Sequence, residues 1–267
     1  MATSRGSPAL AAYVLHRYDW SETSLIVELF TRPQGRLVVA AKGAKRPTSQ
    51  LRAVLLPFQL LHAQLGKAPA DEHAEVHTLR SAEWAGGAPL LGAAAMFPGF
   101  YLNELLLKLL ARQDPHPRLF DAYADTLATL AGAPEGEEAA ALRAFELLLL
   151  REVGVLPDLS LVTLTAQPLQ ADARYTMQAE TGLLPQAPQA GGLLGAQANG
   201  LPGAAWVALE AALRHGSVAA LRQACAPVAA ALRGPLRALL HYHLGSARLR
   251  TRQVWLSVQR LAHTVPR

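Results

Sequence analysis

"SLIVELFTRPQGRLVVAAKGA", residues 24–44, decides the fold of the first third of the chain. Leu25, Val27 and Leu29 alternate with Ile26, Glu28 and Phe30, the two-residue period of a strand with one buried face. "TRPQGR" then puts Pro33 and Gly35 at the second and fourth positions that a type I turn favours, and "RLVVAAKGA" resumes the extended pattern, so a hairpin is predicted. Working outward, "AAYVLHRYDW", "VLLPFQLLHAQL" and "AEVHTLRSAEW" bring the β-rich segments of residues 1–85 to five, which suits a small closed barrel. Gly43, within or just past the third strand, marks a bulge, a barrel corner or a close approach of backbone.

Overlapping that strand, "AAKGAKRPTSQLR" (residues 40–52) holds Lys42, Lys45, Arg46 and Arg52 with no acid. Arg36 on the strand before it makes a fifth cation. A small barrel can carry single-stranded nucleic acid along a sheet face and its loops, with cations tracking phosphates and aromatic rings stacking on bases. Tyr13, Tyr18, Trp20 and Phe58 are the candidate platforms, of which one is expected to meet a base while the others fill the core. A basic loop does not distinguish DNA from RNA, so an RNA-binding or ribosome-associated accessory protein built on the same barrel is the alternative.

From about residue 88 the period becomes helical. "PGFYLNELLLKLLARQ" starts with a proline in its first turn, lines up Leu102, Leu105, Leu106, Leu109 and Leu110, and is stopped by "DPHPRLF", since a residue before proline is pushed out of helical geometry. "LFDAYADTLATLA" and "EEAAALRAFELLLLREVG" follow, the latter ending at Gly154 with Pro157 beyond. Leucine on nearly every side of "FELLLLREV" predicts burial within a bundle. After the uncharged stretch 186–204, helical patterning returns through "PLRALLHYHLGSARLRTRQVWLSVQRL". The predicted organisation is a barrel domain over 1–85, a helical bundle over 86–158 and 204–267, and an irregular insertion over 159–203.

Charge is distributed unevenly. Lys and Arg against Asp and Glu number ten to six over residues 1–80, six to fourteen over 81–210, and nine to none over 211–267. Two basic ends around an acidic middle fit a polyanion on one surface and proteins on another. Cys225 is the sole cysteine, which excludes an internal disulfide and a cysteine-ligated zinc site, and its apolar neighbours predict an inert thiol in the core. "MATSRGSPAL" lacks the order of a secretory leader and no run of eighteen uncharged apolar residues occurs, so a cytoplasmic protein without a membrane span is expected.

Motifs of covalent chemistry are missing: Gly66-Lys67 lacks the remainder of a phosphate-binding loop, and neither GxSxG nor HExxH occurs. His73 and His77 beside Glu72 and Glu75, and His241 with His243, are the groupings a metal could use, and each reads better as an exposed sheet or helix face. No cofactor and no catalytic residue are predicted.

Several segments, in order, resemble one family. "HRYDWSETSLIVELFTRPQGRLVVAAKGAKRPTSQLRAVLLPFQLL", "YLNELLLKLLARQDPHPRLFDAY", "FELLLLREVGVLPDL" and "LGSARLRTRQVW" are similar to the bacterial recombination mediator family RecO. The resemblance implies an OB-fold barrel followed by a helical domain, acting in recombinational DNA repair near the nucleoid without catalysis. It implies binding to single- and double-stranded DNA, annealing of complementary strands, and contacts with RecR, with the acidic tail of single-stranded-DNA-binding protein and, indirectly, with RecA. On this chain the DNA-contacting residues would be Arg36, Lys42, Lys45, Arg46 and Arg52, with Arg248, Arg250 and Arg252 from the acid-free carboxy-terminal segment. Many members carry a four-cysteine zinc module after the Gly-x-x-Pro that here is Gly154 to Pro157. This chain has Leu161, Leu164, Leu184 and Ala187 near those positions, which predicts that the shape survives on an apolar cluster without the metal.

Overall fold

The computed structural model describes residues 8–66, 75–86, 90–132, 136–186 and 200–245, then 249–251, 253, 254, 257, 258 and 260. Two compact units divide the chain, one formed by Met1–Gly132 with Leu249–Arg267 and the other by Ala133–Arg248. The sequence reading places a division at residue 85. Two helices past that point belong with the barrel.

Strands β1 (Leu10–Asp19), β2 (Leu25–Thr31), β3 (Gly35–Ala41), β4 (Leu60–Leu65) and β5 (Val76–Trp84) close a barrel in the order β1-β2-β3-β5-β4, with β3 and β5 parallel and the other pairs antiparallel. This is the arrangement of an OB-fold. The alternation read from the sequence sets the faces: Val27, Leu29 and Val39 join Ala12, Val14, Leu61, Ala63 and Leu79 inside. Gly35 opens β3 in the left-handed region at φ +67°, closing the predicted hairpin. The pairing of β1 with β2 slips between Val14 and His16, a bulge that carries Arg17 onto the side of Val27.

The third strand ends at Ala41, one residue before Lys42, so Lys42 and Gly43 begin a turn. "VLLPFQLLHAQL" splits rather than forming one strand. Leu51–Val54 is a single helical turn, α1, and Pro57, which lacks a ladder donor, precedes the start of β4 at Leu60.

Helix α2 (Ala93–Leu109) begins a turn earlier than its sequence suggests, at a Gly92 N-cap, and runs through Pro98. Proline there costs one intrahelical bond near the amino-terminal end, where few are formed in any case. Helix α3 (Pro117–Gly132) begins on a proline, two residues before the helical pattern read from the sequence. It lays Phe120 and Tyr123 on the outer face of the hairpin, where ring centroids stand 5.3 Å and 5.0 Å from Tyr13, and 5.4 Å and 6.2 Å from Phe30. Asn103 of α2 ties the three elements: its amide donates to the Leu15 carbonyl of β1 at 2.9 Å and its oxygen accepts from the Tyr123 hydroxyl at 2.5 Å. The segment between the helices docks on β3, with Gln113 N–H donating to the Arg36 carbonyl at 2.9 Å.

In the second unit α4 (Glu137–Glu152) buries Ala140, Ala141, Ala144, Phe145 and Leu147–150, the all-round burial its leucines predict. Among its described residues, the insertion expected to be irregular contains regular strands. Strands β6 (Arg174–Gln178), β7 (Gly182–Pro185) and β8 (Leu201–Pro202) form a three-stranded sheet in the order β7-β6-β8. Its core is Leu159, Val162, Tyr175, Met177, Leu183 and Leu201, with Trp206 of α5 (Gly203–His215) donating to the Tyr175 carbonyl at 3.2 Å. The four positions expected to replace the zinc do not form this core. Leu164 is 69% exposed, Leu161 and Leu184 are half-buried, and Ala187 lies outside the described residues. None of the three described leucines offers a metal donor, so a zinc ion does not fit here. Backbone bonds close the turn instead, from Val162 N–H to Gln167 O at 2.8 Å and from Ala166 N–H to Val162 O at 2.8 Å.

Helices α6 (Val218–Cys225) and α7 (Ala229–His243) complete this unit. Burial is the main reason the Cys225 thiol is pushed up to about 12, which makes it the inert core residue expected. Glu210 of α5 is buried and accepts from Arg151 at 2.6 Å, Arg214 at 2.9 Å and the Leu159 N–H at 2.9 Å. Burial works to raise its pKa, but these donors outweigh it and hold the carboxyl below the usual Glu value. A depressed native pKa contributes stability above the unfolded value and loses it as pH falls through the native one. Glu210→Gln should therefore remove part of the acid-induced loss of stability below about pH 4.3, measured by unfolding at several pH values. An unchanged pH slope would show that Glu210 does not contribute.

Candidate nucleic-acid interface

The hairpin leaves two loops at one mouth of the barrel, and the sequence locks them together. Residues 20–24 join β1 to β2, and residues 42–59 join β3 to β4. Lys45 N–H donates to the Thr23 carbonyl at 2.9 Å, Lys45 Nζ to the Ser21 carbonyl at 3.0 Å, and Gly43 N–H to Ser24 Oγ at 3.4 Å. Successive tight turns continue from Arg46 N–H to Gly43 O at 3.1 Å and from Ser49 N–H to Arg46 O at 3.0 Å. Gly43, at φ +72°, supplies the left-handed residue that starts this run. The basic stretch is thus an ordered loop.

Between the loops lies an open depression of about 720 Å³ lined by Arg17, Tyr18, Asp19, Leu25, Ala44, Lys45 and Arg52. Three cations face one carboxylate there. Lys45 pairs with Asp19 at 3.3 Å, while Asp19 stays 80% exposed, so the pair is open to water and weakly held. Lys42 and Arg46 are exposed on the same loop, and Arg52 is exposed on α1. Of the four candidate aromatics, Tyr13 and Phe58 are core, whereas Tyr18 at 47% and Trp20 at 58% exposure stand at this mouth.

Arg36 does not belong to this surface. It points outward from β3 under the segment 107–114, where it donates to the Leu107 carbonyl and lies 3.7 Å from the buried Glu28 carboxylate. Arg112 completes that group, 3.2 Å from Glu28 and also paired with Glu75. Arg17, in contrast, joins the depression although its position in the sequence gives no sign of it. The bulge that redirects it leaves no mark in the residue pattern.

Of the three carboxy-terminal candidates, one lies among the described residues. Arg248 and Arg252 lie outside the described residues; Arg250 is exposed at the first residue of a helical segment. Burial is the main cause of the lowered His16 pKa, Glu28 opposes it, and the charges of Arg250 and Arg17 reinforce it, so both guanidiniums act on this imidazole. The His16 ring stands 4.4 Å from Tyr18, edge to face.

His73 lies outside the described residues, and among the described residues no group of three or more His, Cys, Asp or Glu side chains is arranged to hold a metal ion. Among them, too, no helix is long and apolar enough to cross a membrane.

Two family models match the chain, "Recombination protein O N terminal" over residues 9–88 and "Recombination protein O C terminal" over residues 94–253. A "DNA repair protein RecO" from Verminephrobacter eiseniae is 49% identical over 262 residues, covering 98% of this chain and all of that protein. One from Variovorax paradoxus is 51% identical over 260 residues, covering 94% of this chain and 96% of its own, and one from Polaromonas sp. is 48% identical with the same coverage.

Proposed function

Because this chain belongs to the recombination protein O family of DNA repair proteins, we propose that it is a recombination mediator whose barrel mouth grips DNA strands without reading their sequence. The observation that carries this reading is the convergence of Arg17, Lys45 and Arg52 on one depression, with Tyr18 and Trp20 exposed beside it. Cations of this kind bind phosphates by releasing condensed counterions, which is indifferent to sequence. Exposed rings stack on any base.

Two strands held with their charge neutralised and their base edges free can find each other and pair, so annealing follows from the same surface. No bond is made or broken, and the protein acts as a mediator and not as an enzyme. In the cell it would hand strands coated by single-stranded-DNA-binding protein to RecA together with RecR, using the barrel mouth for DNA and the helical unit for proteins. The helical unit suits an acidic peptide: residues 211–245 carry Arg214, Arg222, Arg233 and Arg237 and no acid.

Pairing of complementary oligonucleotides without nucleotide or metal tests the proposal. The protein should accelerate it several-fold at low salt, and acceleration should fade as salt rises. No acceleration over the uncatalysed rate would overturn the reading. Equal pairing of RNA oligonucleotides would favour the RNA-binding alternative.

A further inference from the structure

Glu104 is a buried acid whose partners lie far along the chain. Its carboxylate accepts from the backbone N–H groups of Arg250 at 2.8 Å and Thr251 at 2.9 Å, and from the Thr251 hydroxyl at 2.7 Å; Lys108 stands 3.3 Å away. Unfilled N–H groups at the start of a helix carry partial positive charge, and a carboxylate placed there both satisfies and neutralises them. Here the carboxylate comes from another helix. Burial alone would raise the Glu104 pKa, but the bonds from Thr251, Arg250 and Lys108 outweigh it and hold it low, so the group is ionised at neutral pH.

The residue before it in α2, Asn103, holds the Leu15 carbonyl of β1 at 2.9 Å. Leu15 in turn precedes His16, Arg17 and Tyr18, the stretch of β1 that reaches the depression. Two consecutive side chains of one helix therefore clamp β1 and the carboxy-terminal helical segment to each other. Leu249 is buried next to this clamp, while Arg250 keeps its side chain in water.

We infer that Glu104 is a positioning residue of the nucleic-acid face: by capping the segment that starts at Arg250 while the adjacent Asn103 holds Leu15 of β1, it fixes the exposed Arg250 near that end of β1 as an added phosphate contact. The inference rests on the proposed DNA-binding function. It makes the basic loop and the basic carboxy-terminal segment one surface, joined through a residue that touches no DNA.

The test measures binding of a fluorescent single-stranded oligonucleotide by the full chain at several salt concentrations, alongside amide hydrogen exchange. One phosphate contact on a single strand changes the slope of log affinity against log salt by about 0.7. Arg250→Ala should flatten the slope by that amount. Glu104→Gln, which keeps the shape and removes the charge, should reduce protection of the Arg250 and Thr251 amides and flatten the slope equally. In the Arg250→Ala background, Glu104→Gln should add nothing to the slope. Glu104→Asp should recover part of both effects. An unchanged slope in Arg250→Ala overturns the inference whatever Glu104→Gln does to folding, as does a Glu104→Gln effect that adds fully to that of Arg250→Ala. If the unsubstituted chain itself shows no salt-dependent binding, it is the proposed function that fails.

Discussion

Arg17→Ala, Lys45→Ala and Arg52→Ala combined should weaken single-strand binding at 50 mM salt by a factor on the order of 10² to 10³. Each lost phosphate contact removes about 0.7 from the slope of log affinity against log salt, so three remove about 2, and their effect grows as salt falls below 1 M. All three side chains line the depression, and among the described residues Lys45 alone of them has a carboxylate within bonding range, at Asp19. Binding titrations across salt give both numbers. Arg36→Ala supplies the contrast, because its guanidinium is committed to Glu28 and the Leu107 carbonyl. It should cost stability while leaving the slope alone. A triple variant with the parent slope would remove the barrel mouth from the DNA path.

Gly35→Ala should be among the most damaging single methyl additions in the barrel. A Cβ at Gly35 would stand 1.8 Å from the Asp114 carbonyl oxygen, on a backbone at φ +67°. The left-handed conformation costs about 1–2 kcal/mol for a residue with a side chain, and forcing apart packed backbone typically adds about 1–3 kcal/mol. A total of about 2–5 kcal/mol corresponds to a midpoint lowered by roughly 10 °C in a domain of this size. Gly43→Ala isolates the two causes. Its φ is +72°, yet the nearest atoms to its Cβ are those of the Arg46 side chain at 3.7 Å, so only the conformational cost applies. Thermal unfolding of the two variants should differ by several degrees. Equal midpoints would mean that the Asp114 segment moves aside freely.

Asp114 also explains what the sequence shows and what it hides. The hairpin was legible because residues 25–41 alternate about a turn with strong local preferences, and local preference is what a sequence displays. That the "DPHP" segment lies against the hairpin was not legible, since nothing in either stretch names the other. Arg36 was misplaced for that reason. An outward position on a strand looks like solvent until a later segment covers it. Tyr13 and Phe30 are outward too, and α3 makes them core. The barrel mouth was half legible: a run of cations without acids can be read, whereas the bulge at Leu15 that turns Arg17 inward is a backbone event without a residue signature. In the second unit, the departure from cysteine ligands was legible and its replacement was not. Positions equivalent to ligands have no reason to become the new core, and Val162, Met177 and Leu183 took that place because their side chains face inward from the sheet and its turn.

The clamp at Glu104 has a consequence during synthesis. The ribosome makes a chain from the amino end at about 5–20 residues per second, and early domains usually fold as they emerge. The first unit cannot follow that order, because it is discontinuous: Leu249 and Arg250 appear only after the whole second unit has been made. For roughly 6–25 s the nascent barrel and its two helices would exist without the amides that Glu104 accepts. During that interval its carboxylate must stay hydrated or be sheltered, and a chain cut short before residue 249 would keep it so permanently.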